Sequence, residues 1–219
     1  MTYTGSVQPG GRSDVRELDA LTIRKASVSR MDNNVYLLTC RETGEQLLID
    51  AADDASRIQK LITEGTGAVD TIVTTHQHWD HHRALPEIAG ATGATTAAGA
   101  PDADALPVIP NLRLAHGDRV TFGAIELDVI QLRGHTPGSV ALAYADPAGG
   151  AHLFTGDSLF PGGPGKTWAA ADFASLMSDL EARVFDVYDD DTWVYPGHGK
   201  DTMLGTERPH LHEWRERGW

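Results

Sequence analysis

Seven consecutive residues, His76-Gln77-His78-Trp79-Asp80-His81-His82, carry four of the chain's ten histidines and one aspartate. No other stretch restricts the fold as much. Neutral imidazole is the commonest protein ligand for a transition metal. As core residues, these rings would each need a buried hydrogen-bond partner, so packing explains the cluster poorly. His76 and His78 flank one residue, and on an extended loop both can reach the same ion. Asp80 and His81 can serve a second ion beside it. The run Val69-Asp70-Thr71-Ile72-Val73-Thr74 is β-branched and apolar and predicts a buried strand. Residues 83–89 predict a helix, with Leu85 and Ile88 on one face and Pro86 in the first turn. The histidines then lie between a strand end and a helix start, where open α/β sheets place their sites.

The 219 residues allow one large domain or two small ones. Acidic side chains outnumber basic ones 31 to 18, a net charge of −13, which argues against a nucleic-acid or anionic-membrane surface. The single cysteine, Cys40, ends the apolar run that starts at Val35 and reads as a core residue. No N-terminal apolar segment and no membrane-length apolar run occurs, so a cytoplasmic protein is expected. Oligomeric state stays open.

Residues 1–18 are polar and contain Gly, Ser and Pro. They predict a flexible N-terminal arm, leaving 19–219 as one domain. Strands are expected at 21–29, 35–40 and 46–50, with a turn at Asp32-Asn33-Asn34. A helix over 54–64 leads to the strand before the histidine cluster. Residues 90–111, rich in Ala, Thr, Gly and Pro, allow a short strand near 95–98 and then loop. A hairpin over 119–132 turns at Gly123-Ala124, and strands follow at 140–144 and 152–155. A helix over 172–185, with Asp172 as N-cap, presents Phe173, Leu176, Met177, Leu180 and Val184 to the core. A strand at 192–195 and a helix near 208–217 close the chain. Two similar halves, each strands then helix, fit a layered helix–sheet–sheet–helix domain; periodicity alone leaves a three-layer α/β fold open.

Three later motifs each place one ligand-type residue at a strand-to-loop junction. They are Gly134-His135-Thr136-Pro137-Gly138-Ser139, Phe154-Thr155-Gly156-Asp157-Ser158 and Tyr195-Pro196-Gly197-His198-Gly199. Singly, a His or Asp in a glycine turn is more often structural. Four motifs at four junctions reverse those odds.

Together the motifs resemble the metallo-β-lactamase superfamily, and within it the glyoxalase II (hydroxyacylglutathione hydrolase) branch. The resemblance implies an α/β fold, the four-layer αββα sandwich, and a centre for two divalent metal ions. His76, His78 and His135 would hold one ion, and Asp80, His81 and His198 the other, with Asp157 bridging. Two cations about 3.5–4 Å apart need such a shared anion. Imidazole-rich ligation favours zinc, and mixed imidazole and carboxylate sites also take iron or manganese. Asp50 resembles the family's carboxylate behind the ligands, of the kind that orients imidazoles. His82 lies outside the signature and is expected to be exposed. The implied reaction is hydrolysis of a small ester or thioester by a hydroxide shared between the metals. Asp80 would orient the nucleophile, and the metals would stabilise the oxyanion.

The chain also departs from that branch. His82-Arg83-Ala84 stands where the branch has Gly-Gly-Asn, and Gly199-Lys200 where it has Glu-Tyr. Pro161-Gly162-Gly163-Pro164-Gly165-Lys166 resembles the branch's loop, with Lys166 at the lysine that faces the thiol's carboxylate. Trp168 replaces a tyrosine two residues on. Lys166 and Trp168 are therefore the expected substrate contacts, and a thiol other than glutathione, or a non-thiol ester, fits the departures. Two further reactions belong to the same fold. One is a persulfide dioxygenase-like oxidation at a single iron held by His76, His135 and Asp157. The other is β-lactam or lactone hydrolysis.

Overall fold

In the computed structural model, which describes residues 2–218, the apolar runs become two stacked sheets. The first takes seven strands in chain order: β1 (Asp14–Glu17), β2 (Leu21–Val28), β3 (Asn33–Cys40), β4 (Gln46–Ile49), β5 (Thr71–Thr74), β6 (Thr95–Gly99) and β7 (Leu112–Leu114). Neighbours are antiparallel from β1 to β4 and parallel from β4 to β7. Helices α1 (Ala55–Glu64) and α2 (Leu85–Thr92) make the first two parallel crossovers, and a loop with a 3-10 turn at Ala103–Ala105 makes the third. The second sheet is built from β8 (Arg119–Phe122), β9 (Ile125–Gln131), β10 (Val140–Ala145), β11 (Ala151–Gly156), β14 (Trp193–Pro196) and β15 (Thr202–Met203), in the order β15-β14-β11-β10-β9-β8. Its one parallel pair is β11 with β14. A small ribbon, β12 (Leu159–Phe160) with β13 (Gly163–Pro164), and helix α3 (Ala170–Leu180) lie between those two strands in the chain. Two short helices, α4 (Leu204–Glu207) and α5 (Leu211–Arg217), follow β15.

The layering follows from the period-2 alternation of a strand. In β3, Tyr36, Leu38 and Cys40 enter the core between the sheets, while Val35 and Leu37 join the core that includes Ile58, Leu61 and Ile88 of α1 and α2. In β10, Val140, Leu142 and Tyr144 face the same inter-sheet core, and Ala141 and Ala143 pack with Leu176 and Leu180 of α3. Strands buried on both faces therefore read as continuous apolar runs. The result is the expected αββα sandwich. Among the described residues no helix is long and apolar enough to cross a membrane.

Some expected elements differ. Helix α3 starts at Ala170 after an extended Ala169 and carries no side-chain cap. Asp172 is thus in the first turn, where a carboxylate still meets the positive end of the helix, and is not the N-cap. The expected continuation to residue 185 is a wider π-helical turn, Glu181–Phe185, which buries both Val184 and Phe185. The closing helix expected near 208–217 is a 3-10 turn at Arg208–His210 followed by α5, with α4 directly before it.

The N-terminal stretch, expected to be a flexible arm, supplies edge strand β1 and a bridge from Pro9 to Ser27. Its polar composition hides the reason. Lys25 of β2 is fully buried, and its ammonium donates to Gly5 O at 2.8 Å, Gly199 O at 2.6 Å and Asp201 Oδ1 at 2.5 Å. The Tyr3 hydroxyl donates to the other oxygen, Asp201 Oδ2, at 2.6 Å. One buried ion pair thus ties residues 3–5 to the loop that follows β14. Removing one partner of such a pair strands the other charge. Lys25→Ala should therefore destabilise the protein by about 3–5 kcal/mol, read from denaturant unfolding. A loss within experimental error would show that Asp201 is not dependent on this lysine.

Candidate metal centre

The ends of four strands meet at one edge of the sandwich. Asp50 follows β4, His76 follows β5, Asp157 follows β11, and Gly197 and His198 follow β14. His135 lies on the loop between β9 and β10. Backbone bonds lock these loops together: Val140 N donates to Thr75 O, Asn34 N to Gly197 O, and Gly197 N to Gly156 O, at 2.8–2.9 Å.

All seven residues expected as ligands come together. Three groups with ligand atoms within 4.8 Å of one another are present: His76, His78 and His135; Asp80, His81 and His198; and His76, His81 and Asp157. The first two are the two expected sets. The third takes one residue from each and adds Asp157, which therefore lies between them. Asp157 also approaches His135 Nε2 at 3.5 Å and His198 Nε2 at 3.4 Å.

Outer partners decide which nitrogen each ring turns inward. His81 Nδ1 donates to Asp50 Oδ2 at 2.8 Å, His135 Nδ1 to Lys166 O at 2.7 Å, and His198 Nδ1 to Met31 O at 2.8 Å. Thr75 gives its hydroxyl proton to Asp50 Oδ2, so His76 Nδ1 is the donor in its 3.0 Å contact with Thr75 Oγ1. These four rings thus turn Nε2 toward the centre. The buried Nε2 of His76 and Oδ1 of Asp157 have no hydrogen-bond partner. Lone pairs of imidazoles and carboxylates aimed at one small volume are a donor set for divalent cations.

Electrostatics divides the two sets. Burial holds His76, His78 and His135 below the usual imidazole range, as neutral electron-pair donors. For His81, burial is outweighed by Asp157 and then Asp50, and the ring is pushed up. His198, also opposed by burial, is raised to about 10 by its bonds to Asp157 and Asp80. Burial raises both carboxylates, yet Asp157 is held low chiefly by His81, and Asp80 by His198 and His81. The second set therefore demands positive charge, which protons or a metal cation can supply.

Asp50 lies where the sequence places it, behind the ligands; its Oδ1 also accepts from Thr75 N at 2.7 Å. His82, expected to be exposed, is buried, and its Nε2 contacts Gln77 O at 3.0 Å. The 3-10 turn Trp79–His81 folds that ring back onto its own loop. Lys166 and Trp168 are exposed at the rim. The Trp168 ring stands 5.3 Å from His78 and 5.6 Å from His135, and Lys166 Nζ lies 5.7 Å from the Trp168 ring. A cleft of about 490 Å³ opens here, with Gln77, His78, Arg133, His135, Trp168 and Asp172 on its walls. Lys166 joins the centre through its backbone carbonyl, a role no side-chain reasoning would find. Sequence reading also missed Asn33, whose buried Nδ2 donates to Asp80 Oδ2 at 2.9 Å. The only signal was a pair of asparagines leading directly into an apolar run.

Among known families, the chain matches the metallo-beta-lactamase superfamily over residues 28–198, a span that holds all seven residues. The hydroxyacylglutathione hydrolase of Fuscovulum blasticum is 40% identical over 147 residues, which are 64% of this chain and 56% of that protein. The chain thus spans little more than half the length of that curated relative. The crystal structure of TTHA1623 in a di-iron-bound form has a TM-score of 0.66 at 31% identity, covering 84% of this chain and 96% of the other. ETHE1 from Myxococcus xanthus has a TM-score of 0.76 at 27% identity, covering 86% and 82%.

Gly197 shows how little space surrounds Asp157. A Cβ there would lie 2.1 Å from Asp157 Oδ1 and 2.7 Å from His81 Cε1. Gly197→Ala must displace one or both. It should lower bound metal per chain and cost about 1–3 kcal/mol through overpacking, as measured by elemental analysis and thermal unfolding. Full metal content in this variant would refute the close fit.

Proposed function

This chain belongs to the metallo-beta-lactamase superfamily, and on that premise we propose that it is a dinuclear metallohydrolase of small thioesters or esters. The observation that carries the reading is the pair of three-residue donor sets with Asp157 between them, beside an open cleft. In this reading His76, His78 and His135 hold one divalent cation and Asp80, His81 and His198 the second, with Asp157 shared. Zinc suits the imidazole-rich first set, and iron the mixed second set. The likeness to hydroxyacylglutathione hydrolases and to a protein with a di-iron-bound form supports both the reaction class and the metal count.

Bound divalent cations supply Lewis acidity, bringing a water's pKa toward neutrality and withdrawing charge from a carbonyl oxygen. The chain's own residues do the rest. Asp80, fixed by Asn33 at 2.9 Å, accepts a hydrogen bond from the attacking water and orients it. Asp50 keeps His81 in one tautomer. Trp168 covers the apolar part of the substrate at the cleft mouth. Lys166 Nζ forms no ion pair among the described residues, so it is free to attract an anionic substituent.

A second reading, oxidation at one iron held by His76, His135 and Asp157, draws on the likeness to ETHE1. Against it stands the complete set of Asp80, His81 and His198.

Metal analysis combined with a panel of thioesters, lactones, β-lactams and phosphodiesters separates these readings. We expect two ions per chain after reconstitution, thioester or ester hydrolysis, and no oxygen uptake. Chelation should abolish hydrolysis and lower the melting temperature, because the ions bind only the native state. One ion per chain together with oxygen consumption would overturn the hydrolase reading.

Lys166→Ala tests the substrate contact. An exposed cation is worth up to ~1 kcal/mol, so KM for an anionic thioester should rise about threefold to fivefold, with kcat and the KM of a neutral ester unchanged. Equal responses from both substrates would remove Lys166 from recognition.

A further inference from the structure

The three histidines of the first set come from loops far apart in the chain, His76-Gln77-His78 after β5 and His135 before β10. A third segment joins them, within the 90–111 stretch where sequence allowed little beyond a short strand. Asp102, just after β6, is fully buried. Its Oδ2 accepts from Gln77 N at 3.0 Å and from the Thr136 hydroxyl at 2.5 Å, and its Oδ1 accepts from Gly138 N at 2.7 Å. Gln77 is the residue between His76 and His78, and Thr136 is the residue after His135. One oxygen atom therefore links the chain positions that carry all three rings.

The fit around Asp102 is tight. A Cβ on Gly138 would lie 2.5 Å from Asp102 N and 2.7 Å from Asp102 Oδ1. Among the described residues no cation pairs with this carboxylate, and three donated bonds satisfy it in place of one. The second set relies on different partners: Asp50 for His81, Asn33 for Asp80 and Met31 O for His198. None of the bonds made by Asp102 reaches that set.

We propose that Asp102 is a positioning residue dedicated to the first ligand set, holding the His76-Gln77-His78 loop and the His135 loop at the separation one cation requires. This rests on the metal-centre reading above. A carboxylate is needed because donors approach both oxygens. In Asp102→Asn the amide NH₂ must face either Gln77 N–H and the Thr136 hydroxyl, or Gly138 N–H. Thr136→Val removes one donor and leaves the carboxylate in place.

The test measures zinc and cobalt(II) affinities of the parent chain, Asp102→Asn and Thr136→Val by competition with a chromophoric chelator, alongside melting temperatures. The parent should bind two ions. Asp102→Asn should keep one at the parent affinity and bind the other about ten- to a hundredfold more weakly. Thr136→Val should shift the same ion in the same direction by less. With His198→Ala, which cripples the second set, Asp102→Asn should leave no tightly bound ion. With His135→Ala it should add little, since the first set is already broken. Unchanged affinities for both ions would overturn the proposal, as would equal weakening of both in step with the melting temperature. Should Asp102→Asn not fold, the two affinities of Thr136→Val decide by the same criteria. A parent chain that binds neither metal overturns the metal-centre reading, and this inference with it.

Discussion

The Asp157 carboxylate is the constraint on which the rest of the centre depends. It is wedged among His81, His135 and His198, with ring nitrogens 3.4–3.5 Å away. A buried carboxylate without a positive partner costs several kcal/mol and would protonate instead. Here it is held ionised, with His81 the chief opposing charge. That charge balance requires strand ends from both sheets to converge at one point, and the loop bonds from Asn34 to Gly197 and from Val140 to Thr75 hold them there. The two sheets are joined by apolar burial across their faces and by electrostatics at this edge.

Around the donors lies a ring of acceptors, and they are not equivalent. His135 and His198 give their outer protons to backbone carbonyls, while His81 gives its proton to the carboxylate of Asp50. A carboxylate partner makes the opposite nitrogen a better donor than a carbonyl does. The two donor sets are thus electronically distinct although each has three residues. The first is neutral and nitrogen-rich. The second is anionic and contains the more basic ring.

Lys25→Ala and Gly197→Ala probe features that the sequence conceals, and their kind explains what was legible. The seven donors were legible because His, Asp and Gly recur at strand ends with short spacings. The layers were legible because Val35 to Cys40 and Val140 to Tyr144 are apolar at both parities. Asp102, Asn33 and Lys25 were not. Each is a polar residue whose bond to the site or to the terminal segment spans 20 or more positions, and no local pattern encodes such a bond. His82 was misread because its imidazole looked like surplus polarity, whereas a 3-10 turn closes it onto Gln77 O. Asp172 was misread because its side chain suits a cap, but the helix had already started at Ala170.

The cleft is bounded by more than the donor residues. Its walls include His78 and His135 but not Asp80, His81 or His198, so it opens onto the first set. The opposite wall comes from elsewhere in the chain. Asp172 and Ser175 project from α3, and Arg133 is held by Asp179 through Nε at 2.8 Å and Nη2 at 2.7 Å, leaving Nη1 outside that pair. None of these is among the seven donors. Helix α3 packs on the outer face of the second sheet through Phe173, Leu176, Met177 and Leu180, so its cleft-facing residues can change while its core face keeps the helix in place. The donors are thus held by strand ends packed too closely to admit a Cβ at Gly197, and the far wall of the cleft by a helix anchored through its opposite face.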